Sequence, residues 1–256
     1  GTLSAWSAGG ALITARTSAG GAGIQNAALV AGGISPTLRA CTEEYNGTSW
    51  AAAGALLIAR ACMGGAGTQN AALVAGGEAP SKQATTEEYN GFVWSAGGAM
   101  IIARAGLVGA GSRNDAIVYG GRTGAGNANS TDATEEYDGS SWSVGGAMNL
   151  GRFNLTGAGT QNAAWAAGGF SAVSSSGCTE EYNGLAWAVG SSLITAREQF
   201  AGAGTQNAAL AAGGYLSPAI RALTEEYDGS TWSAGGAIIT AIFANVGVGS
   251  QAAALT

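Results

Sequence analysis

The sequence predicts an all-β protein built from repeated four-stranded units, and three recurrences carry that prediction. Six of the seven tryptophans stand at Trp6, Trp50, Trp94, Trp142, Trp187 and Trp232, spaced by 44, 44, 48, 45 and 45 residues. Thr-Glu-Glu-Tyr occurs five times, at Thr42–Tyr45, Thr86–Tyr89, Thr134–Tyr137, Thr179–Tyr182 and Thr224–Tyr227. A Gly-x-Gly element begins at Gly21, Gly65, Gly109, Gly157, Gly202 and Gly247, and each of the first five is followed by a double glycine eleven residues on. Self-similarity at such a period marks solenoids, propellers and arrays.

Within the unit, the first strand is Gly65-Ala-Gly-Thr-Gln69, whose small side chains suit a crowded centre. A polar turn at Gln69-Asn70 leads to a second, apolar strand, Ala71–Ala75, which stops at Gly76-Gly77. The third and fourth strands, Thr86–Tyr89 and Phe92–Ser95, flank Asn90-Gly91. Asn-Gly or Asp-Gly between strand-like runs is the strongest short hairpin signal, because a type I′ turn needs positive φ at both central residues. The dipeptide recurs at Asn46-Gly47, Asp138-Gly139, Asn183-Gly184 and Asp228-Gly229.

Each of these six tryptophans lies 15 positions before the next Gly-x-Gly, whereas 8, 8, 12, 9 and 9 residues separate a double glycine from the next Thr-Glu-Glu. All length variation therefore falls in one loop, between the second and third strands. Antiparallel alternation brings these five loops, and the linkers between units, to one face.

Four strands per 40–50 residues, with Gly-Gly, Tyr and Trp at set offsets, is the signature of a β-propeller. The chain resembles kelch repeats. Leu73-Val-Ala-Gly76-Gly77 looks like the kelch strand ending in a double glycine, Tyr89 and Trp94 like the kelch hairpin, and Arg60 like the arginine after the tryptophan. The resemblance covers essentially the whole chain; it is specific for fold and weak for activity. The repeat wording is also similar to repeat proteins of marine phages and viral metagenomes, often tail-associated. That similarity implies a virion or extracellular surface setting, within a larger repeat or tail assembly.

A single propeller domain over residues 1–256 is expected, with complete repeats at 17–52, 61–96, 105–144, 153–189 and 198–234. Gly247–Leu255 matches strands one and two, and Thr2–Ser7 matches strand four. The expectation is therefore six blades, the last split between residues 1–7 and 244–256 and lacking Thr-Glu-Glu-Tyr. The alternative, five blades, leaves the last 22 residues without a slot.

Composition narrows the chemistry. Glycine supplies 45 of 256 residues, charged residues are 10% and histidine is absent. Histidine-based acid–base catalysis and histidine zinc sites are thus excluded. A net charge of −6 with ten basic residues argues against nucleic acid as a partner. Cys41, Cys62 and Cys178 form no CxxC motif, and no signal peptide, membrane span or Asp-rich calcium loop is visible. No cofactor or metal is expected.

The recurring charges read as structural. Glu43-Glu44, Glu87-Glu88, Glu135-Glu136, Glu180-Glu181 and Glu225-Glu226 place one glutamate of each pair on either side of a strand. Arg16, Arg60, Arg104, Arg152 and Arg197 recur once per unit, and the sixth such position is Ile242. The expectation is a ring of arginine contacts knitting adjacent blades. Catalysis is not expected, because five near-identical carboxylate pairs offer no single asymmetric centre.

Function then falls to the variable loops 34–40, 78–85, 122–133, 170–177 and 215–222. Their candidate binding residues are Arg39, Lys82, Arg122, Asn127, Asn129, Phe170, Tyr215 and Arg221. Such side chains suit a glycan or a surface receptor. The sequence is thus read as a non-catalytic recognition module; the alternative is a spacer domain with no ligand of its own.

Overall fold

The first strand of each unit is nearly all glycine and alanine, which lets the inner strands pack closer than larger side chains permit. A Cβ added at Gly65 would lie 2.3 Å from the Gly21 carbonyl oxygen, and one at Gly109 would lie 2.7 Å from the Gly65 oxygen. The protein, described here for residues 5–256 by a computed structural model, is accordingly a β-propeller of repeated four-stranded blades, consistent with kelch-like repeats.

The first blade comprises β1 (Gly20–Ile24), β2 (Ala27–Ala31), β3 (Thr42–Tyr45) and β4 (Trp50–Ala53). The second is β5 (Gly64–Thr68), β6 (Ala71–Ala75), β7 (Thr86–Tyr89) and β8 (Trp94–Ala96). The third is β9 (Val108–Gly111), β10 (Ala116–Tyr119), β11 (Thr134–Tyr137) and β12 (Trp142–Val144). The fourth is β13 (Thr156–Thr160), β14 (Ala163–Ala167), β15 (Thr179–Tyr182) and β16 (Trp187–Gly190). The fifth begins with β17 (Ala201–Thr205) and β18 (Ala208–Ala212). A small hairpin, β19 (Tyr215–Leu216) and β20 (Ala219–Ile220), fills its variable loop before β21 (Thr224–Tyr227) and β22 (Trp232–Ala234). Each blade is an antiparallel meander in chain order.

The six-bladed expectation is corrected: the structure has five blades, the alternative reading. The C-terminal residues do have a place, however. They form a two-stranded sheet, β23 (Val248–Ser250) and β24 (Ala253–Leu255), with β23 lodged between the inner strands β17 and β1. Ala5–Ser7 pair with no strand among the described residues, although the Trp6 indole donates to the Gly236 carbonyl at 3.1 Å. The rest of the expected N-terminal strand lies outside the described residues.

Closure on the loop face is made by backbone. Ser18, Cys62, Gly106, Asn154, Gln199 and Ala244, one per linker, all have φ between 53° and 70°. Each amide donates to the carbonyl of its predecessor, and Ser18 donates to Ala244, giving a closed ring of six hydrogen bonds at 2.7–2.8 Å.

The hairpin between third and fourth strands is present, but the type I′ expectation is corrected. Tyr45 pairs with Trp50, so the loop holds four residues, and positive φ occurs there only at Gly47. Asn46 is selected for its side chain, whose Oδ1 accepts the Thr48 and Ser49 amides at 3.0 and 2.9 Å. At Asp138 and Asp228 the same amide and hydroxyl donors hold the carboxyl down at about 2.

Between blades, apolar residues of facing sheets interlock. Leu29, Met63 and Val74 pack with Tyr89 and Trp94 between the first two blades, and Leu73, Leu107 and Val118 with Tyr137 and Trp142 between the next two. Trp165, which stands where other units have Leu or Ile, is fully buried against Trp232.

The two glutamates of each pair have different partners. The first meets the linker arginine leading into its own blade: Arg60–Glu87 at 3.2 Å, Arg104–Glu135 at 2.9 Å and Arg152–Glu180 at 3.1 Å, with Arg16–Glu43 and Arg197–Glu225 in equivalent contact. It also accepts one or two linker amides, as Glu135 does from Ile101 and Ile102 at 2.6 and 3.3 Å. Burial lowers the pKa of the Arg60, Arg104 and Arg197 guanidinium groups, and the paired glutamate pulls it back. The arginine backbone faces the preceding blade instead, where the Gly33, Gly77, Gly121 and Gly169 amides donate to the carbonyls of Arg60, Arg104, Arg152 and Arg197 at 2.9 Å. Ile242 keeps this backbone role toward Gly214 at 2.8 Å. The second glutamate reaches across to the next blade, where Tyr89, Tyr137, Tyr182 and Tyr227 donate to Glu44, Glu88, Glu136 and Glu181 at 2.5–2.8 Å.

Candidate functional site on the loop face

Each of the five linkers that lead into a complete blade enters it beside the start of that blade's variable loop. Thr17, Ala61, Ala105, Phe153 and Glu198 form bridges with Ile34, Glu78, Arg122, Phe170 and Tyr215, the residues directly after the double glycines. The backbone is therefore uniform around the channel mouth while the side chains are not. This circle is one of the repeated positions at which chemistry changes from blade to blade: aliphatic, acidic, basic and aromatic in turn.

Arg122 is the hub of the charged part. Its guanidinium lies 3.6 Å from Glu78 and 5.1 Å from the Phe153 ring centroid, a cation–π arrangement. Lys82 reaches the same Glu78 at 2.6 Å. The aromatic part continues from Phe153, which is buried, to Phe170 at 5.8 Å between centroids. Beyond it, Asn154 donates to Glu198 at 3.1 Å, and Tyr215 stands 6.2 Å from the exposed ring of Phe243. Burial raises the Glu198 carboxyl pKa, opposed by the Asn154 hydrogen bond and the Arg122 charge. Burial also pushes up the Cys62 thiol at the mouth.

The mouth itself is shallow. It holds a cavity of about 140 Å³ lined by residues including Cys62, Leu107, Asn154, Gln199, Phe200 and Asn245. Enclosing sites for small molecules span roughly 300–1,000 Å³. The mouth can take a few waters or one protruding group, so a larger ligand would be held across the surface.

Of the eight loop residues singled out from sequence, the structure gathers Lys82 and Arg122 around Glu78, and joins Phe170 to the same patch through Phe153. Tyr215 lies with Phe243. Arg39 folds back on its own loop, donating to the Ser35 carbonyl, and Arg221 is half-buried with its amide bonded to Gly214 at 2.8 Å. Asn127 and Asn129 occupy an exposed single turn of 3-10 helix, Asn127–Asn129, where Asn129 donates to the Ala125 carbonyl at 2.5 Å. Glu78, Phe153, Asn154, Glu198 and Phe243 belong to the patch and were missed. Four lie in linkers whose constant length hid their variable composition; Glu78 lies in a variable loop.

No family model and no curated protein matches the chain. The geometry of the patch therefore carries the functional reading.

Proposed function

We propose that the protein is a non-catalytic recognition module of kelch-like type, displayed on a virion or cell surface, which binds a glycan or surface receptor through its loop face. The observation that carries this reading is the circle Ile34, Glu78, Arg122, Phe170 and Tyr215: fixed in backbone, different in every blade, and set around a shallow mouth. The half-buried rings of Phe170 and Tyr215 and the exposed ring of Phe243, beside amide and charged groups, are the equipment for stacking on sugar rings and bonding their hydroxyls. The glutamate pairs are engaged in contacts that repeat from blade to blade, which supports a structural role for them.

The test is a broad glycan array with the intact chain, with Arg122→Ala, and with residues 122–133 replaced by a short Gly-Ser loop. The reading expects binding by the intact chain that both variants lose. A second reading, a spacer domain within a larger assembly, is favoured by Glu78 engaging both Lys82 and Arg122, which satisfies loop charges internally. It expects silence from all three proteins, and from candidate protein receptors as well.

A further inference from the structure

Four equivalent interfaces join the five blades, and each makes three kinds of contact to the second and third strands of the preceding blade. Tyrosine donates to the second glutamate, as Tyr137 does to Glu88 at 2.5 Å. The Trp94, Trp142, Trp187 and Trp232 indoles donate to the hydroxyls of Thr42, Thr86, Thr134 and Thr179 at 2.9–3.0 Å. Glutamine grips two carbonyls, as Gln69 does those of Ala28 and Tyr45 at 3.0 and 2.7 Å; in one interface Arg113 takes the place of glutamine.

Between β24 and the first blade these contacts stand half made. Among the described residues, Gln25 reaches only the Ala254 carbonyl, at 3.5 Å. The Trp50 indole finds the Gly10 carbonyl at 3.0 Å but no threonine among the described residues, and Trp50 is half-buried where its four counterparts are buried. Tyr45 has no glutamate to donate to, and on the other flank Glu226 receives no tyrosine. Val30 is half-buried where Val74 and Val118 are buried. A cavity of about 320 Å³ lies here, lined by residues including Leu12, Val30, Trp50, Val246 and Leu255. Among the described residues β24 pairs only with β23, and its Leu255 lines the same gap.

We propose that this gap is a docking slot for an extended segment of the Thr-Glu-Glu-Tyr type, bound by strand addition to β24. An unpaired strand edge is a template for another strand, with main-chain bonds supplying affinity and side-chain sites supplying selectivity. The selectivity is defined by the groups left waiting. A threonine hydroxyl meets Trp50, a second-position glutamate accepts from Tyr45, a tyrosine donates to Glu226, and that tyrosine's carbonyl completes the grip of Gln25. By the register of the complete blades, where Ala28 pairs with Tyr45 and Leu29 with Glu44, the incoming tyrosine and glutamate face Ala254 and Leu255. This slot lies on the flank of the propeller and is independent of the loop-face reading.

The test is titration of a fluorescent peptide copying residues 222–229, Ala-Leu-Thr-Glu-Glu-Tyr-Asp-Gly, into the intact chain, beside a scrambled peptide. Saturable one-to-one binding of the first and not the second is expected. Replacing the peptide tyrosine by phenylalanine, or making Glu226→Gln in the protein, is expected to weaken binding about tenfold, as for a hydrogen bond to a charged group. Gln25→Ala, at an exposed position, is expected to weaken it several-fold with folding unchanged. Equal binding of the scrambled peptide, no saturation at millimolar concentration, or indifference to both protein variants would overturn the proposal.

Discussion

The phenolic hydroxyl of Tyr137 donates to Glu88 of the preceding blade at 2.5 Å, and the hydroxyl of Tyr45 has no such glutamate among the described residues. The pair makes an internal control, since both tyrosines are buried beside a tryptophan at similar ring separation. Removing a hydrogen bond to a charged group costs about 1.5–3 kcal/mol. Tyr137→Phe is therefore expected to lower the chemical denaturation midpoint clearly, and Tyr45→Phe to leave it nearly unchanged. Equal shifts would mean that the hydroxyl contributes nothing across the interface.

The same contacts set an alkaline limit. Burial first, and then the glutamate hydrogen bond, pushes Tyr89, Tyr137, Tyr182 and Tyr227 up to about 12. An unfolded tyrosine ionises near 10. A folded pKa above the unfolded one gives stability that is complete below about pH 10 and lost as pH rises towards 12. Thermal midpoints are expected to hold steady to that point and then fall, with tyrosinate absorbance rising in the same window. Absorbance that rises fully near pH 10 while the fold persists would contradict this.

Acid tolerance follows the opposite sign. Asp138 and Asp228 titrate at about 2, below the ordinary value near 3.9, so their contribution is present above that value and fades as pH falls towards 2. Carboxyl chemical shifts followed by NMR through an acid titration should place both midpoints near 2. Midpoints near 4 would mean that the turn amides do not hold these carboxylates.

Arg104 and Arg122 separate structural from surface charge. Arg104 is fully buried with Glu135 at 2.9 Å, whereas the Arg122–Glu78 pair is about one-third exposed. Breaking a buried pair costs roughly 3–5 kcal/mol, and an exposed pair contributes at most about 1. Denaturation of Arg104→Ala should show the large loss and Arg122→Ala almost none.

Gly65→Ala tests the crowded centre. The added methyl would sit 2.3 Å from a neighbouring backbone oxygen, which no rotamer change can relieve. Overpacking of this kind costs typically 1–3 kcal/mol. A variant as stable as the parent would show that the inner strands have room to part.

Much of this architecture could be read from the chain because each unit repeats the same physical demands. Glycine recurs where strands approach, apolar residues recur in the second strand, and the glutamate pair recurs where one member is buried with arginine. Recurrence does not reveal which surfaces meet, so the donation of Tyr89 to Glu44 and the grip of Gln69 were invisible until register and blade order were known. The turn at Asn46 departs from the type I′ expectation because Asn-Gly serves two loop lengths, and only the Tyr45–Trp50 pairing separates them. On the loop face, attention to length favoured loops that change size and passed over Phe153 and Glu198 in linkers that do not.

The amide ring through Ser18, Cys62, Gly106, Asn154, Gln199 and Ala244 has an electrical consequence. Its six bonds run head to tail around a circle, so their dipoles circulate and cancel, unlike those of a helix, which add along an axis. The ring therefore supplies no directed field along the channel and, with its donors consumed, no cradle for an anion. Any preference for charge at the mouth must come from side chains, and those are the positions at which the blades differ.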